Sequence, residues 1–183
     1  ALGYNSRLDA LQAAVLNVKL PKLNGWVEQR KTIAQRYKEL LRDVPGITLP
    51  VEAEGHSWNQ FVLRVGSCPT GQARCQGSCA PSTISGDHEL PDSCCRDWLK
   101  QTLQDQGVNT IIYYPIPIHR QPAYEDLSLK PGSMPQTERL CSQVLSLPIF
   151  PELSELEQQH VVSVLHQIAG KMPQMLEEER IAA

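Results

Sequence analysis

A small sheet covered by several helices, in the α/β or α+β class, is the fold this sequence predicts, and three observations predict it. Apolar residues recur at helical spacing from Leu8 to Leu41. A helical pattern over residues 96–107 ends at Gly107 and runs directly into an apolar, β-branched stretch over residues 108–114. Two short runs, Phe61-Val62-Leu63 and Leu145-Ser146-Leu147, are bounded by polar residues or proline and have the length of strands. Helix, glycine, strand is a βαβ-like step, and the pattern does not separate α/β from α+β.

The first of these elements begins at a polar turn, Gly3-Tyr4-Asn5-Ser6-Arg7. Ser6 is placed to cap a helix, with Asp9 three residues on in the capping-box position. Leu8, Leu11, Val15 and Val18 then form one apolar stripe. Pro21 lacks an N–H and clashes with the preceding turn, so a kink or break is expected there. A second helical pattern carries Leu23, Trp26, Val27, Ile33, Ala34, Tyr37, Leu40 and Leu41, and Pro45-Gly46 ends it. Residues 56–65 read as a strand. Residues 66–93 are rich in Gly, Ser, Pro and Cys without a period, longer than ordinary connections, and read as a loop or insertion.

Beyond the 96–107 helix and the 108–114 strand, Pro115, Pro117 and Pro122 stiffen a loop. Residues 135–144 predict a short helix with Leu140 and Val144 inward and Cys141 beside them. Residues 145–147 predict a brief strand. Ser154 and Glu157 form a capping box for a last helix with Val161, Val162, Leu165 and Ile168 on its buried face, closed by Gly170. The expected division is a helical connection over 1–43, a small domain over 44–170 with a Cys-rich insertion at 66–95, and a polar tail over 171–183.

Composition bounds the function. The 183 residues are enough for one domain with a core of its own, or that domain and an appendage. Hydrophobic content of 41% and charged content of 20% are those of a soluble globular chain. A net charge of −3 without a basic block speaks against nucleic acid as a partner. No apolar run is long enough for a bilayer, and the first residues have no secretory pattern. The chain starts with Ala inside a motif and reads as truncated. Five cysteines (Cys68, Cys75, Cys79, Cys94 and Cys95) fall in one segment and Cys141 stands apart, which fits a reducing cytoplasm better than a secreted disulfide framework. Their spacing departs from zinc patterns, so no metal is expected.

Few residues stand out for chemistry. Asn5 and Arg7 lie where the N–H groups of a helix start are still unpaired, a place that holds anions; the plain alternative is a turn residue and a surface arginine. His119 follows a proline-stiffened strand end and is either a polar group at a site mouth or a surface loop histidine. Tyr113 and Tyr114 alternate on a strand, so one points inward and the other outward.

Three motifs, in order along the chain, carry a resemblance. Gly3-Tyr4-Asn5-Ser6-Arg7 with Leu11-Gln12-Ala13-Ala14, then Tyr113-Tyr114-Pro115-Ile116-Pro117-Ile118-His119, then Leu145-Ser146-Leu147-Pro148-Ile149-Phe150-Pro151-Glu152-Leu153 resemble segments of the DegT-type sugar aminotransferases. The resemblance covers about residues 1–65 and 96–169. It implies the end of the large domain and the small domain of a fold-type-I transferase dependent on pyridoxal 5'-phosphate. It also implies amino transfer, typically from glutamate, to a nucleotide-linked keto sugar in polysaccharide or glycoconjugate precursor synthesis. Asn5 and Arg7 match residues that reach the cofactor phosphate of a neighbouring subunit, which implies a homodimer. His119, Tyr113 and Tyr114 match a loop near the sugar-nucleotide side of the site. The segment with the catalytic lysine would precede Ala1. Lys19, Lys22, Lys31, Lys38, Lys100, Lys130 and Lys171 lie in contexts unlike it, so no catalytic residue is assigned and the chain by itself is expected to be inactive. Residues 66–95 have no counterpart in the family pattern.

Overall fold

A computed structural model describes residues 6–66, 94–127 and 129–181, with side chains described in these ranges apart from positions 94, 127 and 170–181. The described elements are α1 (Ala10–Lys19), α2 (Leu23–Leu40), β1 (Ile47–Thr48), β2 (Phe61–Val65), α3 (Cys94–Asp105), α4 (Pro135–Gln143), β3 (Val144–Leu147) and α5 (Glu155–Ile181), with short 3-10 turns between some of them. Helices and a small sheet are both present, in the class the sequence predicts. The described strands run antiparallel in the order β1-β2-β3, with Ile47 opposite Val65 and Phe61 opposite Leu147.

Pro21 falls inside a 3-10 turn, Leu20–Lys22, that joins α1 to α2. The chain meets the missing donor by tightening one turn. After α2, Gly46 and Gly66 approach closely. The Gly66 N–H donates to the Gly46 carbonyl at 2.7 Å, and a Cβ on Gly66 would stand 3.2 Å from that oxygen. The β1–β2 pair therefore closes at a point where only glycine fits without displacement.

Strand alternation on β2 turns Phe61, Leu63 and Val65 inward, and Leu145, Ser146 and Leu147 of β3 are all buried. Ile33, Ala34 and Tyr37 of α2, Leu99 and Leu103 of α3, and Val161, Val162, Leu165 and Ile168 of α5 pack against them. Trp58 is buried with φ 49°, a left-handed conformation unusual for a bulky residue. Its N–H donates to His56 Nδ1 at 2.9 Å, and the two rings lie 4.2 Å apart. These contacts hold it against Phe61, whose ring is 5.8 Å away.

Gln158 is a fully buried polar side chain with both ends engaged. Its Nε2 donates to the Ile33 carbonyl at 2.8 Å, and its Oε1 accepts from Arg36 Nη1 at 3.4 Å. It fastens α5 to α2 without leaving an orphan polar atom. The Tyr37 hydroxyl donates to the Pro148 carbonyl at 3.0 Å, and burial pushes its pKa well above the usual range.

Four expectations need correction. Asp9, not Ser6, caps α1: its carboxylate accepts from the Gln12 N–H at 2.8 Å. A short anionic cap next to the helix does this without the reciprocal glutamate of a capping box. The predicted strand over 108–114 shrinks to a single bridge, Ile111 with Ser146, because among the described residues only that pair exchanges backbone hydrogen bonds with β3. On α4, Leu140 is 42% exposed while Ser142 and Gln143 are buried. That helix runs into β3 without a loop, and the buried Arg96 guanidinium donates to the Cys141 carbonyl at 2.8 Å, which turns the last α4 turn inward. Finally, α5 continues past Gly170 to Ile181. One interior glycine costs a helix only about 1 kcal/mol relative to alanine, too little to end one already anchored along its first turns.

Among the described residues, no helix is long and apolar enough to cross a membrane.

Candidate functional site

Two places hold the residues singled out from the sequence. Asn5 lies outside the described residues. Arg7 is exposed ahead of α1 and makes no ion pair with a described residue. Its guanidinium donors are therefore available to a planar anion. The helix start itself is less available than the sequence suggests. The Asp9 carboxylate already takes the Gln12 N–H and brings a negative charge to the positive end of α1. An anion here would rely on side-chain donors more than on the helix terminus. Arg7 thus fits a phosphate group as one edge of a site.

The second place is the corner after the bridge at Ile111. The chain passes two tyrosines and two prolines into a 3-10 turn, Ile118–Arg120. The Arg120 N–H closes that turn on the Pro117 carbonyl at 2.9 Å. Tyr113 is half-buried and Tyr114 is 68% exposed, their rings meeting edge-on at 5.6 Å. The alternation read from the sequence is present even though the strand is not. His119, by contrast, is buried at 8% exposure. It is not a surface loop histidine.

What holds His119 is Glu138, in the first turn of α4. His119 Nε2 lies 3.0 Å from Glu138 Oε1. The same carboxylate accepts the Gly132 N–H at 3.1 Å and 2.8 Å on its two oxygens, and the Met134 N–H at 3.3 Å. Gly132 has φ 84°, which lets its amide face inward. The Gly132 amide, then His119, then Met134 hold the Glu138 carboxyl below the usual carboxylate range. An ionised carboxylate only accepts, so the Nε2 position of His119 carries the hydrogen.

Glu138 was not visible in the sequence as a partner of His119. Nineteen positions separate the two. The one signal available was an acidic residue in the first turn after Pro135, which reads equally well as complementing the helix dipole.

Other candidates are not drawn into either place. Among the described residues no group of three His, Cys, Asp or Glu side chains could hold a metal, and Cys68, Cys75 and Cys79 lie outside those residues. The Cys141 thiol is half-buried and its pKa is raised by that burial, with the Arg96 charge opposing in part. His160 and His166 are exposed and bind the Gln106 and Leu40 carbonyls at 3.1 Å and 2.9 Å. No lysine is buried among the described residues, and Lys38 pairs with Glu52 at 3.1 Å.

Known proteins are similar to this chain in sequence and share its fold. The model of the DegT/DnrJ/EryC1/StrS aminotransferase family matches residues 1–166. The erythromycin biosynthesis sensory transduction protein EryC1 of Saccharopolyspora erythraea is 45% identical over 168 residues, covering 89% of this chain and 37% of that protein. The dTDP-3-amino-3,4,6-trideoxy-alpha-D-glucose transaminase of Streptomyces venezuelae is 33% identical over 174 residues, covering 94% of this chain and 38% of the relative. Among solved structures, that of S. venezuelae DesV superposes with a TM-score of 0.70 at 34% identity, covering 91% of this chain and 38% of DesV. The chain therefore spans well under half the length of these relatives. A family match that takes in all three motifs, joined to a shared fold, places the chain in the DegT/DnrJ/EryC1/StrS aminotransferase family.

Proposed function

We propose that this chain is the C-terminal part of an aminotransferase that uses pyridoxal 5'-phosphate to move an amino group, with glutamate as donor, onto a nucleotide-linked keto sugar. The observation that carries the reading is the family match over residues 1–166, which includes every motif-bearing residue. The named activity of the S. venezuelae transaminase supports a sugar-nucleotide substrate.

When bound, the cofactor supplies an electron sink for the amine carbon. This chain's residues serve it from outside the reacting atoms. Asn5 and Arg7 hold the phosphate of the cofactor in a neighbouring subunit, through an amide and a guanidinium. Tyr113, Tyr114 and His119 border the sugar-nucleotide side, with Tyr114 the most open to a ligand. Residues 1–43 connect to a large domain that contributes the catalytic lysine, and 44–170 form the small domain. The bare apolar stripe of α1 supports that connection and a homodimer in which Asn5 reaches across. The chain alone lacks the lysine and does not turn over substrate in the cytoplasm, its proposed location.

The test is Asn5→Ala in a full-length version, with the cofactor absorbance followed through dialysis. Faster cofactor loss is expected, and unchanged retention would sink the assignment. Turnover by the isolated chain in an amino-transfer assay would overturn its proposed inactivity.

A second reading has one observation in its favour. A relative 45% identical carries a sensory-transduction name, not a transaminase name. On that reading the full-length protein binds a sugar nucleotide without transferring an amino group, or the small domain persists as a dimerisation module. A full-length sequence in which the lysine is replaced would favour it.

A further inference from the structure

We infer that Glu138 is a positioning residue that locks the His119 corner, and with it the Tyr113–Tyr114 approach, to the turn ahead of α4. The inference rests on the proposed function only for its consequence at the substrate. The lock stands on geometry. Two separate segments converge on one carboxylate: His119 from the 3-10 turn Ile118–Arg120, and the Gly132 and Met134 amides from the turn entering α4. The His119 and Glu138 side chains are only 5% and 11% exposed. A neutral amide replaces this group only in part. A glutamine side chain at this position would have one accepting oxygen and one NH2, and the NH2 would face either the Gly132 N–H or the Nε2–H of His119, donor against donor. The lock also settles the imidazole: with Nε2–H given to Glu138, a neutral ring has its acceptor at Nδ1.

The experiment compares Glu138→Gln with Glu157→Gln, a change at the α5 cap that loosens the fold elsewhere. The first arm uses the 183-residue chain, nitrogen-edited NMR of the histidine rings, and amide exchange. In Glu138→Gln the Nε2–H signature of His119 is expected to shift or disappear, as the charged acceptor is replaced by a neutral oxygen or an NH2, and the Gly132 and Met134 amides to exchange at least tenfold faster. The β2–β3 amides should keep their protection, and Glu157→Gln should leave the His119 signature in place. An unchanged His119 signature, or the same change in both variants, would overturn the inference, since either makes Glu138 an ordinary structural contact.

The second arm uses the full-length protein with a nucleotide-linked keto sugar. A KM raised several-fold for the sugar nucleotide, with little change in kcat and none in KM for glutamate, is expected. Equal loss for both substrates would count against positioning. Absence of turnover in the wild type would sink the transaminase reading, and the ring signature would then decide on Glu138.

Discussion

Two helices of this chain have the same kind of sequence and opposite surroundings. Leu8 just ahead of α1 and Leu11, Val15, Leu16 and Val18 on it are exposed, and α1 has no buried residue at all. The first turns of α5 bury Val161, Val162, Val164, Leu165 and Ile168. Each has apolar residues at helical spacing and each begins at a side-chain cap, Asp9 in one and Ser154 in the other. The difference is that α5 packs against α2 and α3, while α1, ahead of Pro21, buries no residue among those described. Periodicity states that a helix has an apolar face; it does not state what covers that face.

The largest expected effect is at the packed end of this comparison. Leu165→Ala removes a side chain with no exposure and should cost about 2–5 kcal/mol, read as a lowered urea midpoint at constant slope. A cost near zero would mean that α5 is not part of the core.

The α5 cap comes next. Ser154 and Glu157 form a reciprocal pair: the Glu157 N–H donates to Ser154 Oγ at 3.3 Å, and the Ser154 N–H donates to Glu157 Oε2 at 2.8 Å. Ser154→Ala should cost about 1 kcal/mol. The Ser154 hydroxyl, then its backbone N–H, lowers the Glu157 carboxyl from its ordinary value. A depressed carboxylate stabilises fully above the unfolded value, near about pH 4.3, and the contribution fades as pH falls through the lower folded value. Glu157→Gln should therefore flatten the acid limb of stability and leave the limb above about pH 6 parallel to wild type. A parallel shift at every pH would refute the ionic origin.

The smallest effect belongs to the bare helix. Leu11→Gln with Leu16→Gln should change the stability of this chain by about 0.5 kcal/mol or less, because both side chains are already in water. The same pair sharpens the dimer proposal. If the stripe mediates assembly, sedimentation should show the full-length variant dissociating at concentrations where the wild type stays associated.

Much of the architecture was legible because it rests on local rules. The capping box at Ser154 and Glu157 formed as read. So did the stop of α3 at Gly107, where φ is 79° and the Val108 and Gly107 N–H groups close on the Leu103 and Gln104 carbonyls at 2.8 Å and 2.9 Å. Failures came where a neighbour overrode the local signal. Residues 108–114 have strand composition, but a strand needs a partner along its whole length and these found one at a single pair. Leu140 is the apolar residue of its turn, yet the Arg96 bond to the Cys141 carbonyl and the direct entry into β3 left it outside. At the candidate site, the fixed placement of His119 after its prolines was legible, while Glu138, which holds it, was not.

The sequence by itself determined the order and kind of most elements, the inward residues of α5, and the family through its three motifs. These depend on propensity, period and short-range capping, all written within a few residues of one another. Only the tertiary structure decided the antiparallel pairing, the exposure of α1, the burial of Gln158 against α2 and the capture of His119 by Glu138. Each of these joins residues distant in the chain, and whether such a contact forms depends on which surfaces the fold brings together and desolvates.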